Sequence, residues 1–176
     1  MATIYKYSDK DLYQTRILIF NKTSNTYIEE YGIEKSDLFY LKTKNPIGRL
    51  ARLKRIVTSF KPDIVYSWGG FESSFCLLAV PFTNSKLING SIRHGIVRFN
   101  SKQISRLLGL HLSKYIVANS RAGLRANFIK NRGFVLYNGI DLQKLKQAGI
   151  VFNPSPLRGF VIGNLGRMVV QKGQED

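Results

Sequence analysis

The feature that most constrains the fold is the regular alternation of short apolar segments with longer amphipathic ones. The short apolar runs predict strands, and they cover residues 15–20, 37–41, 63–68, 85–89, 115–118 and 134–137. The segments between them predict helices, most clearly at residues 47–60, 72–80, 101–112 and 120–131. Strands that alternate with helices in this way are typical of an α/β protein with a mostly parallel sheet flanked by helices.

Two of the predicted helices are amphipathic, and their polar faces are basic. In the helix at 47–60 the apolar side chains recur at helical spacing, while Arg49, Arg52, Lys54 and Arg55 lie largely off that face. In the helix at 101–112 the same spacing predicts four inward side chains, Ile104, Leu107, Leu108 and Leu112. Ser120 is predicted to cap the next helix, because its hydroxyl can accept an amide hydrogen of the first turn.

The net charge indicates an anionic partner. The chain has 27 Lys and Arg residues against 11 Asp and Glu residues, a formal net charge of +16. Between residues 38 and 174 the only acidic residues are Asp63, Glu72 and Asp141. Such a body attracts anionic lipid, nucleic acid or phosphorylated substrates. The alternative is drift of composition in a lysine-rich proteome.

Cysteine usage and hydropathy predict a cytoplasmic protein that touches membranes only at their surface. The single cysteine, Cys76, lies in an apolar run and is interpreted as a small core residue rather than a nucleophile. One cysteine cannot form a disulfide within the chain, which fits a reducing compartment. Residues 1–10 are polar and predict no signal peptide. No apolar run approaches the ~20 residues of a membrane-spanning helix, so any membrane contact is expected to be peripheral.

The candidate binding residues follow the predicted strands, where ligands bind in parallel α/β sheets. They are Ser67, Trp68, Gly69, Gly70, Arg93, His94, Ser120 and Asn138. An imidazole at His94 can accept a proton or hydrogen-bond a sugar hydroxyl, although a loop histidine can also be structural. Gly69 and Gly70 would let a ligand approach the backbone, or could simply form a strand-to-helix turn. Because no second histidine or cysteine stands at ligand spacing, no metal site is predicted.

The segment at residues 159–173 has the composition of a phosphate-binding loop. A short apolar run at 160–162 predicts a strand, and Gly163, Gly166, Arg167 and Lys172 follow it. Arginine offers a rigid fork of donors to phosphate oxygens, and lysine offers a mobile point charge. The alternative is that Arg167 and Lys172 are two solvated loop cations.

Five short motifs, taken in order, resemble the group 1 glycosyltransferases. They are KPDIVYS at 61–67, SIRH at 91–94, VANS at 117–120, LYNGID at 136–141, and IGNLGR at 162–167 followed by QKG at 171–173. The resemblance covers roughly residues 62–173. Members of that family are retaining enzymes that use nucleotide sugars, and they have the two-domain GT-B fold.

The resemblance implies a domain organisation and a set of roles. Residues 1–150 would form the Rossmann-like, acceptor-side domain, residues 151–158 a linker, and residues 159–176 the start of the donor-binding domain. Arg167, Lys172 and Gly166 would contact the donor diphosphate. His94 would be the catalytic residue facing the transferred sugar and the acceptor. Ser67, Trp68, Gly69, Gly70, Arg93, Ser120 and Asn138 would line the acceptor side.

Two departures from the family pattern lead us to expect a fragment. Residues 1–44 show no glycine-rich loop after a first strand, so the first βα unit is expected to be missing or altered. The acidic motif that holds the donor sugar in the family does not follow Lys172. We therefore expect a truncated second domain and no sugar transfer by this polypeptide alone.

The favoured function is transfer of a sugar, as in hexosyltransferases, from a nucleoside diphosphate sugar to an acceptor hydroxyl. The expected context is the synthesis of cell-surface polysaccharide, lipopolysaccharide or glycolipid, with a lipid-linked or saccharide acceptor at an anionic membrane face. No cofactor and no metal are expected. Two alternatives remain: a basic nucleic-acid-binding module, for which no recognised motif is present, and a non-catalytic module that binds a partner enzyme.

Overall fold

The computed structural model describes residues 2–20, 26–41, 43, 45–92, 100–129, 131–139, 142 and 146. The chain divides into two compact units, Met1–Ile140 and Asp141–Asp176. The elements of the first unit, in chain order, are α1 (Ala2–Tyr7), β1 (Ile17–Ile19), α2 (Thr26–Glu30), β2 (Leu38–Tyr40), α3 (Pro46–Phe60), β3 (Ile64–Ser67), α4 (Gly70–Ala79), β4 (Lys86–Ile92), α5 (Ser101–Leu112), β5 (Tyr115–Ala118), α6 (Arg121–Ala126) and β6 (Gly133–Val135).

The described strands form two parallel sheets. β1 pairs with β2, and β3, β4, β5 and β6 form a four-stranded sheet in that order. Every pairing between described strands is parallel, so each connection must cross the sheet, and helices occupy most of these connections. The prediction of an α/β protein with a mostly parallel sheet flanked by helices is confirmed, and the arrangement is compatible with a Rossmann-like fold.

The longest described helix, α3, begins and ends where local chemistry places its boundaries. Asn45 is the N-cap, and its side-chain oxygen accepts a hydrogen bond from the Ile47 amide at 3.0 Å. Pro46 takes the first helical position, where it sacrifices no hydrogen bond. Lys61 adopts the left-handed conformation (φ 51°) that closes the helix. Pro62 follows, and proline cannot continue a helix.

Two main hydrophobic clusters hold the first unit together. One cluster joins the ends of β1 and β2 to α3 and α4 through Phe20, Leu41, Leu53, Val57, Cys76, Ala79 and Val80. The other lies between β4, β5, α5 and α6 and contains Ile92, Leu110, Ile116, Ala118, Leu124 and Ile129. The first cluster therefore packs both sheets against α3 and α4.

The inward face of α5 differs from the prediction. Leu110 is fully buried and Leu107 packs on the second cluster, whereas Ile104, Leu108 and Leu112 are exposed by 48, 59 and 77%. Helical periodicity marks two apolar stripes on this helix and cannot choose between them. The choice is made by packing, because α5 lies against α4 and Gly109 admits the Leu77 side chain close to its backbone. An apolar stripe consequently faces outward.

Other boundaries shift by a few residues. β4 continues to Ile92, three residues beyond the predicted strand, and β6 covers Gly133–Val135. α6 ends at Ala126 rather than near residue 131. The buried Asn127 side chain donates to the Gly123 carbonyl at 2.7 Å, and Phe128 has φ 60°, a left-handed conformation that a helix cannot propagate.

No helix in the described ranges is both long enough and apolar enough to cross a membrane. Cys76 is buried in the first cluster with 5% exposure, so its predicted role as a core residue is confirmed. Burial raises the pKa of its thiol to about 12, and the Glu72 charge adds to this effect. The thiol is therefore a poor nucleophile at neutral pH.

Candidate functional site

The predicted binding residues that the structure describes follow three strands of the four-stranded sheet, β3, β5 and β6. β3 ends at Ser67, β5 at Ala118 and β6 at Val135. Because these strands are parallel, their carboxyl ends meet at one edge of the sheet. Trp68, Gly69 and Gly70 continue from β3, Ser120 follows β5, and Asn138 follows β6. We call this the carboxyl edge.

The remaining predicted site residues lie outside the described residues. They are Arg93 and His94 after β4, and Gly166, Arg167 and Lys172 in the second unit. Their roles stay predictions.

A buried polar network that sequence reasoning missed lies beneath the carboxyl edge. Asn89 in β4 is 1% exposed, and its Oδ1 accepts from Ser73 Oγ at 3.2 Å and from the Ser91 amide at 3.1 Å. Its Nδ2 donates to Ser113 Oγ at 2.9 Å. Ser73 Oγ in turn lies 2.8 Å from Ser67 Oγ. Buried polar groups that are mutually satisfied in this way fix relative positions sharply.

The network fixes the start of α4 against the sheet. Ser67 ends β3 and Ser73 lies in the first turns of α4, so their contact joins the two ends of the Gly69–Gly70 turn. Ser113 donates onward to the Gly109 carbonyl at 2.8 Å and ties α5 to the same hub. The sequence contained one signal for this network. Residues 85–91 read Ser-Lys-Leu-Ile-Asn-Gly-Ser, which puts a polar residue with polar neighbours in the region of a predicted strand.

The Gly69–Gly70 turn is crowded by two charged side chains. Gly69 is the N-cap of α4, and a β-carbon there would collide with the Glu72 carboxylate. A β-carbon on Gly70 would lie 3.0 Å from both Cγ and Cδ of Arg106. The space beside both glycines is therefore filled by side chains of the chain itself, and a β-carbon at either position would require Glu72 or Arg106 to shift.

Arg106 is a structural part of this turn, and this changes the interpretation of its charge. Its Nε donates to Gln103 Oε1 at 2.7 Å, and its buried Nη2 has no hydrogen-bond partner among the described residues. Desolvation by burial lowers its pKa. Arg106 lies in the predicted basic helix at 101–112, and the structure packs its side chain, partly buried, against Gly70 at the start of α4.

The crowding of Gly69 limits what the α4 N-terminus can bind. The partial positive charge of a helix N-terminus attracts anions, and here the Glu72 carboxylate already lies against Gly69. An incoming phosphate must displace Glu72 before it can contact these amides. Gly69 and Gly70 form the turn between β3 and α4, and the approach of a ligand to their backbone stays a prediction.

The aromatic side chains near the carboxyl edge are partly buried in packing contacts. The rings of Tyr66 and Trp68 lie 5.3 Å apart at 57°. Gly90 in the neighbouring strand lies under Tyr66, since a β-carbon on it would be 2.5 Å from the Tyr66 ring. Burial raises the pKa of Tyr66. Trp68 is half-buried, so its ring is only partly accessible.

The last two described residues of the edge differ in role. Ser120 caps α6, and its Oγ accepts a hydrogen bond from the Gly123 amide at 3.0 Å, so the predicted cap is confirmed. Asn138 is exposed. Ser91 at the end of β4 is 6% exposed, and no described residue hydrogen-bonds to its hydroxyl.

Neither a search for metal ligands nor a comparison with known proteins identifies a ligand for this site. Within the described residues, no group of three or more His, Cys, Asp and Glu side chains could hold a metal ion. No family model matches the chain, and no curated protein is significantly similar to it.

Proposed function

We propose that the chain belongs to a sugar-transfer system and binds a nucleoside diphosphate sugar for transfer to an acceptor hydroxyl. The observation that supports the proposal is the common edge of Trp68, Gly70, Ser120 and Asn138 on a parallel sheet, the place where α/β proteins bind ligands. The ordered motifs at residues 61–67, 91–94, 117–120, 136–141 and 162–173 provide the second support.

The proposed chemistry divides between two groups of residues. Arg167 and Lys172 neutralise the diphosphate, which becomes more negative as the bond to the sugar breaks. Gly166 lets the backbone approach the phosphates. His94 hydrogen-bonds a hydroxyl of the transferred sugar, and polar groups of the carboxyl edge contact the acceptor.

The test measures direct binding to the full chain by isothermal titration calorimetry. The ligands are a panel of nucleoside diphosphates and their sugar conjugates. We expect Arg167→Gln/Lys172→Gln to weaken both kinds of ligand by about tenfold or more, because charge-assisted hydrogen bonds contribute about 1.5–3 kcal/mol each. His94→Ala should weaken only the sugar conjugates.

The matched control is Lys86→Gln/Lys114→Gln, which removes the same charge at exposed positions next to the amino ends of β4 and β5. If the control variant weakened ligand binding equally, the effect of substituting Arg167 and Lys172 would be explained by net charge alone. Absence of any nucleotide binding at millimolar concentration would contradict the proposal.

We also propose an anionic membrane surface as the place of action. The outward stripe of Ile104, Leu108 and Leu112 on α5 supports it, together with the net charge of +16. An apolar stripe on a basic body is typical of helices that lie in the interface of a bilayer. The acceptor would then be lipid-linked and presented at that surface.

A further inference from the structure

An open groove between β2 and α3 is separate from the carboxyl edge. It has a volume of about 520 Å³, within the range of ligand pockets, roughly 300–1,000 Å³. Its walls are mostly apolar, and Phe39, Ala51 and Ile56 supply them. Gly48 keeps the helix surface low at one end, where a β-carbon would lie 3.3 Å from Thr43 Oγ1.

Two arginines also line the groove, Arg52 and Arg55. Both are exposed, and within the described ranges neither guanidinium group has a hydrogen-bond or ion-pair partner. They are one helical turn apart on α3, so they lie on the same side of the helix. Two unneutralised guanidinium groups thus stand beside an apolar surface.

The neighbouring cations of α3 are engaged elsewhere, which sets Arg52 and Arg55 apart. Arg49 Nε donates to the Thr43 carbonyl at 3.1 Å, and its guanidinium lies 5.4 Å from the Phe71 ring. Lys54 lies over the Phe82 ring at 5.4 Å. Among the described residues, the basic face predicted from the sequence is therefore divided between cations that pack on other groups and the pair Arg52 and Arg55 at the groove.

We propose that this groove binds an anionic amphiphile, with a phosphate on Arg52 and Arg55 and an acyl chain along Phe39, Ala51 and Ile56. Arginine matches phosphate geometry through paired donors. A fully polar anion would leave the apolar wall in water, and a neutral apolar molecule would leave the arginines without a counter-charge. Only a molecule with both parts satisfies both features, and a phospholipid monomer has them.

This proposal rests on the proposed membrane surface and adds a specific lipid-binding site to it. It does not depend on sugar transfer. The groove belongs to the first unit and is lined by none of the carboxyl-edge residues. Its binding is measured without a nucleotide sugar, and nucleoside diphosphate binding should be unchanged by substitutions in it. Failure of one proposal is therefore distinguishable from failure of the other.

The experiment titrates the full chain with dihexanoyl phosphatidic acid, a short-chain lipid that stays monomeric at low concentration, while amide NMR spectra are recorded. We expect shifts concentrated at Gly48, Ala51 and Phe39. Inorganic phosphate should bind at least about tenfold more weakly, since it gains nothing from the apolar wall. Dihexanoyl phosphatidylcholine, whose headgroup has no net charge, should also bind more weakly.

Two variants separate the charge from the apolar wall. Arg52→Gln/Arg55→Gln should raise the Kd for the phosphatidic acid about tenfold or more. Ala51→Leu fills the groove without changing the charge and should also raise the Kd. The control Lys86→Gln/Lys114→Gln should leave it unchanged. Circular dichroism and thermal unfolding verify that each variant is folded, and Ala51 is exposed, which favours tolerance of leucine.

Three results would overturn the proposal. Equal loss of binding in the control would mean attraction by net charge alone. If inorganic phosphate bound as tightly as the lipid, the apolar wall of the groove would contribute nothing to the affinity. Tighter binding of a single-stranded oligonucleotide, with shifts at the same amides, would assign the groove to nucleic acid instead.

Discussion

Cys76 shows how a single residue is governed by its surroundings. The thiol lies in the cluster that joins α3 and α4 to both sheets, where water cannot stabilise a thiolate. The pKa rises from 9.0 to about 12. Sequence reasoning placed this residue in the core from the apolar run around it, and Glu72, which adds to the pKa shift, lies four residues earlier in the same helix and therefore on the same side of it. The depth of burial came only from the fold.

The raised pKa predicts a loss of stability at alkaline pH. The folded state binds the thiol proton more tightly, so the stabilisation is complete below pH 9 and declines as pH rises toward the folded pKa. By about pH 10.5 the wild type should lose roughly 2 kcal/mol more than Cys76→Ala, at about 1.4 kcal/mol per pH unit.

Urea unfolding of both proteins at several pH values between neutrality and that limit measures the difference. The comparison cancels the tyrosines and lysines that titrate in the same range, because both proteins contain them. Parallel stability curves for the two proteins would contradict the assigned pKa.

At the scale of elements, the network around Asn89 determines how β3, β4, α4 and α5 meet. The amide of Asn89 has hydrogen bonds to Ser73, Ser91 and Ser113, and all four residues are buried. The polar hub gives the Gly69–Gly70 turn one defined position, which apolar packing alone would specify less strictly.

Two neighbouring substitutions test this view of the sheet. Asn89→Ala leaves two buried hydroxyls short of a partner and should cost about 2–4 kcal/mol. Ser91→Ala removes a hydroxyl that has no partner and should be neutral or slightly stabilising.

Both values come from denaturant unfolding of the full chain. Because the two residues are two positions apart in β4 and similarly buried, each serves as the control for the other. Similar losses of stability in both variants would mean that the network contributes nothing beyond burial.

At the scale of the whole molecule, the charge and the outward apolar stripe of α5 act together. Arg106 contributes less to the exposed charge than a solvated arginine would, since it is partly buried against Gly70. Arg52, Arg55 and Arg125 are exposed. Attraction to an anionic leaflet is worth about 1 kcal/mol per basic residue near the surface, so a few of them provide reversible binding.

The chain should therefore bind liposomes more tightly as the anionic lipid content rises, and less tightly as salt is added. Leu108→Gln/Leu112→Gln keeps the charge and should reduce binding several-fold at fixed lipid composition. Co-sedimentation with vesicles measures both effects.

The matched variant is Ile47→Gln/Ile64→Gln, which removes two exposed apolar side chains outside α5. An equal loss in that variant, or binding that ignores the anionic lipid content, would refute peripheral attachment through α5.

The sequence by itself determined the α/β class, the order of the elements and the Ser120 cap, because periodicity and capping are local properties of the chain. The boundaries of α3, the strand at 115–118 and the Ser120 cap followed directly. Tertiary structure decided which apolar stripe of α5 faces inward, why Arg106 is packed over Gly70, and how Asn89 joins four elements. These depend on contacts between segments distant in sequence. The groove at Arg52 and Arg55 likewise exists only because β2 lies against α3, an arrangement that no local pattern specifies.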